Sequence, residues 1–150
     1  MTMAKHRTGA LVAFLGLAAA ALPIVAHADA PDPPFDCGST PHAFISSLIE
    51  ANAIDPQPTR IEADSVNAFR LKPGAGLRAF GFPIYAVFGY QRDDTLFRPG
   101  SGRAKDGPVY GVVVSAPADP VRERVRDAGS GAHVQSVVPL LLTAIVCDGR

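Results

Sequence analysis

The sequence lacks the short motifs that mark common enzyme active sites. It has no Gly-x-Ser-x-Gly nucleophile elbow, no His-Glu-x-x-His metal helix, no phosphate loop ending in Gly-Lys-Ser or Gly-Lys-Thr, and no Gly-x-Gly-x-x-Gly dinucleotide fingerprint. Each missing motif removes one common enzyme class from consideration. We therefore assign no catalytic residue from the sequence.

Ligands for a metal ion are also scarce in this chain. Two of the four histidines lie in an N-terminal segment that we predict to be removed, which leaves His42 and His133. Two histidines without free cysteines make a poor zinc site, and the acidic pair Asp93 and Asp94 supplies fewer oxygens than the six or more that calcium binds. We predict no metal site and no cofactor, and we interpret the acidic pair as a solvated turn.

The first 28 residues have the pattern of a secretory signal peptide. Lys5 and Arg7 make the start basic, a largely apolar run extends over 10–25, and Ala26-His27-Ala28 has the small-x-small form that signal peptidase cleaves. The alternative is a membrane anchor, but a spanning helix needs about 20 apolar residues, and Pro23 interrupts the end of this run. We predict cleavage after Ala28 and export to the periplasm or the extracellular space.

The predicted mature chain has the size of one small domain. Removing 28 of the 150 residues leaves 122, and we divide the chain into a signal peptide (1–28), a proline-rich leader (29–40) and a single domain (41–150). Because two basic residues and no acid leave with the signal peptide, the mature chain has two fewer basic residues than its 14 acidic ones. This near-neutral balance gives no argument for nucleic acid or an anionic membrane surface as a partner.

Two cysteines remain, one near each end of the mature chain. Cys37 and Cys147 make an even number in a chain predicted to reach an oxidising compartment, which favours pairing. A redox-active pair commonly has Cys-x-x-Cys spacing, which does not occur here. We predict a structural disulfide between Cys37 and Cys147 that joins the two ends of the domain.

Hydrophobic periodicity predicts two helices and several strands. Thr40 can cap a first helix that begins at Pro41, Asp119 can cap a second that begins at Pro120, and the β-branched run over 109–115 is typical of a buried central strand. Further strands are predicted over 60–72, 77–82, 84–90, 133–138 and 140–147. The runs 77–82 and 84–90 fit either two strands bent at Pro83 or one long strand with a bulge there, and the last two runs fit either a pair or one long strand broken at Pro139. This order predicts an α+β fold in which two helices pack on one face of a mainly antiparallel sheet.

The longest irregular stretch, over 92–108, contains a Gly-rich basic segment from Arg98 to Lys105, which we call the basic loop. Arg98, Arg103 and Lys105 are candidate binding residues, because Gly-rich backbone beside cations can bind a phosphate or carboxylate. An exposed arm of this kind can also enter a cleft of another protein. The alternative is a solvated connection whose charge is partly balanced by Asp94 and Asp106.

Five of the eleven aromatic residues lie within positions 80–90. We predict that most of them belong to the core, because a small domain without tryptophan needs other large apolar side chains. Tyr85 and Tyr90 are candidates for a surface that contacts a partner, and regular alternation would place them on opposite faces of a strand.

Three functional hypotheses are compatible with these residues. The favoured one is an exported, non-enzymatic module of the cell envelope that binds another envelope or extracellular protein through a strand edge or the basic loop, with inhibitors as one form. The alternative is a binder of a small or amphipathic ligand in a pocket between sheet and helices, lined by Phe82, Tyr85 and Phe88. The third is an enzyme whose site is assembled from the dispersed Asp93, Asp94 and His133. The oligomeric state is left open.

Overall fold

The computed structural model describes residues 35–149, which form an antiparallel sheet with two helices on one face. The helices are α1 (Pro41–Glu50) and α2 (Ala118–Asp127). The strands are β1 (Arg60–Ile61), β2 (Asn67–Arg70), β3 (Arg78–Ala79), β4 (Phe82–Tyr90), β5 (Val109–Val114), β6 (His133–Val138) and β7 (Leu142–Asp148). The α+β fold predicted from the sequence is confirmed, whereas the predicted signal peptide and the first part of the leader lie outside the described residues.

The strand order places the predicted central strand in the middle of the sheet. The order is β1-β2-β4-β5-β7-β6, with the short β3 paired to the start of β4, and every pair is antiparallel. β5 lies between β4 and β7 and is almost entirely buried. The two edges of the sheet are therefore β1, only two residues long, and β6, which has six.

The core lies between the sheet and the helices. α1 packs mainly over β4 and β5, and α2 packs over β6 and β7. The side chains of the sheet that face the helices are fully buried in a row across four strands: Phe69, Val87, Val112 and Ile145. Burying an apolar side chain of this size contributes about 1.5 to 3 kcal/mol, so this row and the apolar stripes of the helices hold the two layers together.

The start of α1 follows the sequence prediction, and the start of α2 does not. The Thr40 hydroxyl accepts a hydrogen bond from the Ala43 amide at 3.2 Å, and Pro41 is the first helical residue. The prediction that Asp119 caps α2 is wrong, because the helix begins directly after the extended residue Pro117. Asp119 already lies in the first turn, where its carboxylate pairs with Arg122 at 2.8 Å.

The strand predicted over 60–72 is instead a hairpin of two short strands. The chain reverses between β1 and β2, where Ser65 has a positive φ of 71° and the Asp64 carboxylate accepts a hydrogen bond from the Val66 amide at 3.3 Å. Aspartate accepting from the backbone two residues on is a turn-forming contact that competes with a continuous strand. The predicted strand over 77–82 is likewise reduced to the two residues of β3.

A disulfide joins the two ends of the domain, as predicted. Cys37 lies ahead of α1, and Cys147 lies near the end of β7, with their Cα atoms 5.2 Å apart. The bond therefore attaches the N-terminal part of the described chain to the strand beside the β6 edge. Within residues 35–149, neither helix is long and apolar enough to cross a membrane.

Candidate functional site

The basic loop is fixed to the sheet by one buried amide. The Asn67 side chain, fully buried on β2, donates hydrogen bonds to the carbonyl oxygens of Ser65 and Arg98 at 2.8 and 2.9 Å. Its own oxygen accepts from the Arg98 amide at 2.9 Å. Asn67 therefore binds both backbone polar groups of Arg98, and it sets where the loop begins relative to β2.

Further hydrogen bonds attach the rest of the loop to the turn between β1 and β2. The Gly100 amide donates to the Ser65 hydroxyl at 2.9 Å, and the Gly102 amide donates to the carbonyl of Ala63 at 2.8 Å. A Cβ atom at Gly100 would collide with the carbonyl oxygen of Glu62, so only glycine permits this close approach. The stretch predicted as an irregular connection has no helix or strand, but its backbone is held at defined points.

An aromatic side chain attaches the preceding part of the same stretch to the core. Phe97 is buried, and its ring lies 6.5 Å from that of Phe69 in an edge-to-face arrangement. It also packs at Gly89 of β4, where an added Cβ atom would lie 3.1 Å from the Phe97 ring. The loop is thus anchored by a polar contact at Asn67 and an apolar contact at Phe97.

The three predicted basic side chains have different surroundings. The Arg98 guanidinium contacts the side-chain oxygen of Gln57. Arg103 is almost fully exposed and pairs with Asp106 at 3.0 Å, whereas Lys105 is half-buried and its amide donates to the Asp64 carbonyl at 2.9 Å. Arg103 therefore offers its charge most freely to solvent, although Asp106 partly offsets it.

Tyr90 and Lys105 meet at one cleft beside the start of α1. The cleft has a volume of about 300 Å³, and its lining residues come from the start of α1, the end of β4 and the end of the basic loop: Thr40, Pro41, Tyr90, Gln91, Arg92, Lys105, Asp106, Gly107 and Pro108. Lys105 also lines an adjoining cleft together with Arg103. The tyrosine ring is mostly buried, so it forms the wall of a depression rather than a projecting contact.

Tyr85 lies far from this cleft, near the other end of β4. The register of β4 shifts between Ile84 and Ala86, which makes Tyr85 the extra residue of a bulge, and 63% of it is exposed. Phe88 lies on the sheet face away from α1, beside Gly111 of β5. Tyr85 and Phe88 therefore do not line a common space between the sheet and the helices.

Each of the two described histidines pairs with a different carboxylate. His42 Nδ1 lies 2.7 Å from Asp94 Oδ2, which ties the first turn of α1 to the loop after β4, and His133 lies 3.4 Å from Asp148. Asp94 and His133 are thus bonded to separate partners rather than to one another. Within residues 35–149, no three His, Cys, Asp or Glu side chains gather in an arrangement that could hold a metal ion.

The side chain of Tyr110 is buried in the core beside α1. Burial raises the pKa of Tyr110 above its usual value of 10.0, and a hydrogen bond from the Ser39 amide at 3.2 Å acts in the opposite direction. The ring lies 4.9 Å from that of Phe44. Its surroundings are those of a core tyrosine that positions the chain ahead of α1.

The role of Asn67 was not predicted from the sequence, and Asp94 was predicted as one of an acidic pair rather than as the partner of His42. In the predicted strand, Asn67 lies on the same face as the apolar Phe69. A polar amide at such a core position indicates a buried side chain that makes hydrogen bonds. The pairing of His42 with Asp94 spans 52 positions and left no local signal. None of the known protein families, curated proteins or solved structures compared with the chain matches it.

Proposed function

We propose that this chain is an exported, non-enzymatic module of the cell envelope that binds another envelope or extracellular protein through the basic loop. The observation that carries the proposal is the contact of buried Asn67 with both backbone polar groups of Arg98. Two of the three hydrogen bonds of this buried side chain go to the backbone of the loop and the third to Ser65 in the adjoining turn, which supports a role in holding the loop in one conformation.

A fixed loop binds at a lower cost than a mobile one. Ordering a flexible segment on binding costs free energy, so a loop held before binding keeps more of its contact energy. The contacts of Phe97, Arg98 and Gly100 hold the backbone before Arg103. The Lys105 amide, which donates to the Asp64 carbonyl, holds it after Arg103. Inhibitor-like modules are one form of binding protein that would use such an arrangement.

The charges of the loop favour an acidic surface on the partner. Arg98, Arg103 and Lys105 supply three cations within eight positions, and complementary charge mainly raises association rate and selectivity. The cleft where Lys105 meets Tyr90 can receive a carboxylate-bearing or aromatic side chain of that partner. The disulfide and the predicted signal peptide together support a location outside the cytoplasm.

The test is affinity capture from the native envelope fraction with the mature chain, 29–150, followed by measurement of affinity for the captured protein. The triple variant Arg98→Ala/Arg103→Ala/Lys105→Ala is expected to weaken binding at least about tenfold, and added salt is expected to weaken the wild type. The matched control is Arg70→Ala/Lys72→Ala/Arg78→Ala, which removes the same charge from the segment that joins β2 to β3.

Two results would contradict the proposal. Undiminished binding by the loop variant would exclude the loop as the contact, and equal loss in both triple variants would indicate a nonspecific charge effect. Circular dichroism of each variant confirms that a loss of binding does not come from unfolding.

A further inference from the structure

The hairpin of β6 and β7 ends in a cluster of exposed apolar side chains. The exposed fractions are 52% for Val137, 39% for Val138, 79% for Leu140 and 65% for Leu141. Pro139 lies between them and is also exposed. We call residues 137–141 the apolar tip, and its four large side chains leave a contiguous apolar surface in water.

The backbone of the apolar tip makes leucine an unfavourable choice at its most exposed position. The Leu141 amide donates to the Val138 carbonyl at 3.0 Å, which closes a tight turn with Leu140 at a positive φ of 65°. Glycine is preferred at such a position, because a Cβ atom is strained there. Leu140 therefore has a strained backbone and an exposed side chain, and contacts within the chain compensate for neither.

The strand next to the tip is an edge that lacks protective charges and prolines, and its one irregularity is near the tip. β6 contains no Lys, Arg, Asp, Glu or Pro, although charges and prolines are the common means by which edge strands avoid other chains. Its outer side has no partner strand among the described residues. A register shift between Ser136 and Val138 confines the regular part of the edge to His133–Ser136.

The segments before and after β6 differ in size, so the large one of one copy fits against the small one of a second copy. The end at the apolar tip is large, whereas the chain before His133 is small and mostly exposed: Ala128, Gly129, Ser130, Gly131 and Ala132. If two copies pair antiparallel through His133–Ser136, each tip lies against this small segment of the other copy. A two-fold axis makes both contacts at once, which is the self-complementary form of a symmetric dimer.

The charges of α2 favour the same arrangement. In such a dimer the two-fold axis is perpendicular to the sheet. The α2 helices of the two copies then lie on the same face of the joined sheet and run in opposite directions. Asp119 in the first turn, which pairs with Arg122 of its own helix, would then lie near the last turn of the other copy, where Arg124 and Arg126 outnumber Asp127. Opposite charges meet at both ends, so the helices that flank the edge do not repel one another.

We propose that two copies of this chain associate through β6, forming one continuous antiparallel sheet in which each apolar tip packs on residues 128–132 of the other copy. Strand addition at an edge supplies main-chain hydrogen bonds, and the tip supplies the apolar contact. The start of the basic loop is held at the other edge of the sheet by Asn67, whereas its end lines a cleft together with Asp148, which pairs with His133 of β6.

The first experiment is sedimentation velocity of the disulfide-bonded mature chain between about 1 and 200 µM. The wild type is expected to shift from monomer to dimer. Leu140→Lys keeps the positive φ and removes the apolar contact, so it should raise the dissociation constant at least about tenfold. Ile61→Lys is the control, because Ile61 is an exposed β-branched residue on the other edge, and its replacement should leave the dimer unchanged.

The second experiment locates the contact by hydrogen exchange at low and high protein concentration. Slower exchange at high concentration is expected in 128–141 and not in β1 or β2. A wild type that stays monomeric at the highest concentration overturns the proposal, as does equal weakening by both lysine variants. Monomeric protein that binds vesicles of anionic phospholipid through Leu140 would overturn it as well, by assigning the tip to a lipid surface.

Discussion

The two edges of the sheet are built in opposite ways. The β1 edge is two residues long, carries the ion pair of Arg60 with Glu62, and ends in a turn to which the basic loop is hydrogen-bonded. The β6 edge is three times as long, has no charged residue apart from the titratable His133, and ends in the apolar tip. One edge is protected by its own chain, and the other is open.

The two edges present different kinds of surface to a partner. At the β1 edge, polar contacts fix a charged loop whose backbone groups are already paired within the chain. At the β6 edge, the backbone groups and apolar side chains have no such partners in the described residues, and pairing with another strand would satisfy both. The comparison predicts that substitutions on the β1 side change the loop and its binding, while those on the β6 side change self-association.

The largest effect is expected from removing the disulfide, which bonds the β6 side of the sheet to the chain ahead of α1. Closing a loop between residues 110 positions apart stabilises by about 3 to 5 kcal/mol on the chain-entropy model. The double variant Cys37→Ser/Cys147→Ser should lose stability of this order in urea unfolding. Hydrogen exchange should accelerate in β6 and β7 before β1 and β2. A loss below about 1 kcal/mol, or the reverse order of exchange, would contradict this prediction.

A smaller effect is expected from Asn67→Ala on the β1 side. The substitution leaves the Arg98 amide and the Arg98 and Ser65 carbonyls without their buried partner, at a cost of about 2 to 3 kcal/mol. Limited proteolysis should then cut within 98–105. The matched control is Gln135→Ala, which removes an exposed amide on β6 and should change the free energy of unfolding by less than about 0.5 kcal/mol. Similar losses in the two variants would show that the loop is not held through Asn67.

The smallest effect, and one of opposite sign, is expected from Leu140→Gly at the apolar tip. Glycine relieves the strain of the positive φ, so the free energy of unfolding of the monomer should rise by about 0.5 to 1 kcal/mol. Thermal unfolding at low protein concentration measures the change. The neighbouring Leu141→Gly has no positive φ to relieve and should not stabilise the fold. A destabilised Leu140→Gly monomer would mean that the leucine side chain contributes to the fold itself.

Sequence patterns correctly predicted the helices and strands that are determined by neighbouring residues. The cap and first residue of α1 depend on adjacent residues, Thr40 and Pro41, and the buried strand β5 depends on an unbroken β-branched run. The turn at Ser65 was missed, because alternation over 60–72 continues on both sides of it. The same strand-like alternation could not reveal that Tyr85 falls at a bulge.

The candidate surfaces were predicted less completely than the fold. Arg98, Arg103 and Lys105 were identified by their type and spacing, but their anchoring by Asn67 was not. Tyr90 was predicted as a candidate contact residue, and the cleft that it lines was not predicted. Leu140 and Leu141 were predicted to belong to a strand over 140–147, because a run of apolar residues does not indicate which of them are exposed.

The amino-acid sequence by itself determined the α+β class, the pairing of Cys37 with Cys147 and the positions of most helices and strands. Periodicity and capping depend on residues that are close in sequence, and the number of cysteines is a matter of composition. All three can be recognised from the amino-acid sequence. Three features emerge only when the chain is folded: Asn67 holds the basic loop, Asp94 pairs with His42, and β6 is an open edge. These outcomes depend on which distant segments meet, and the packing of the whole sheet determines that.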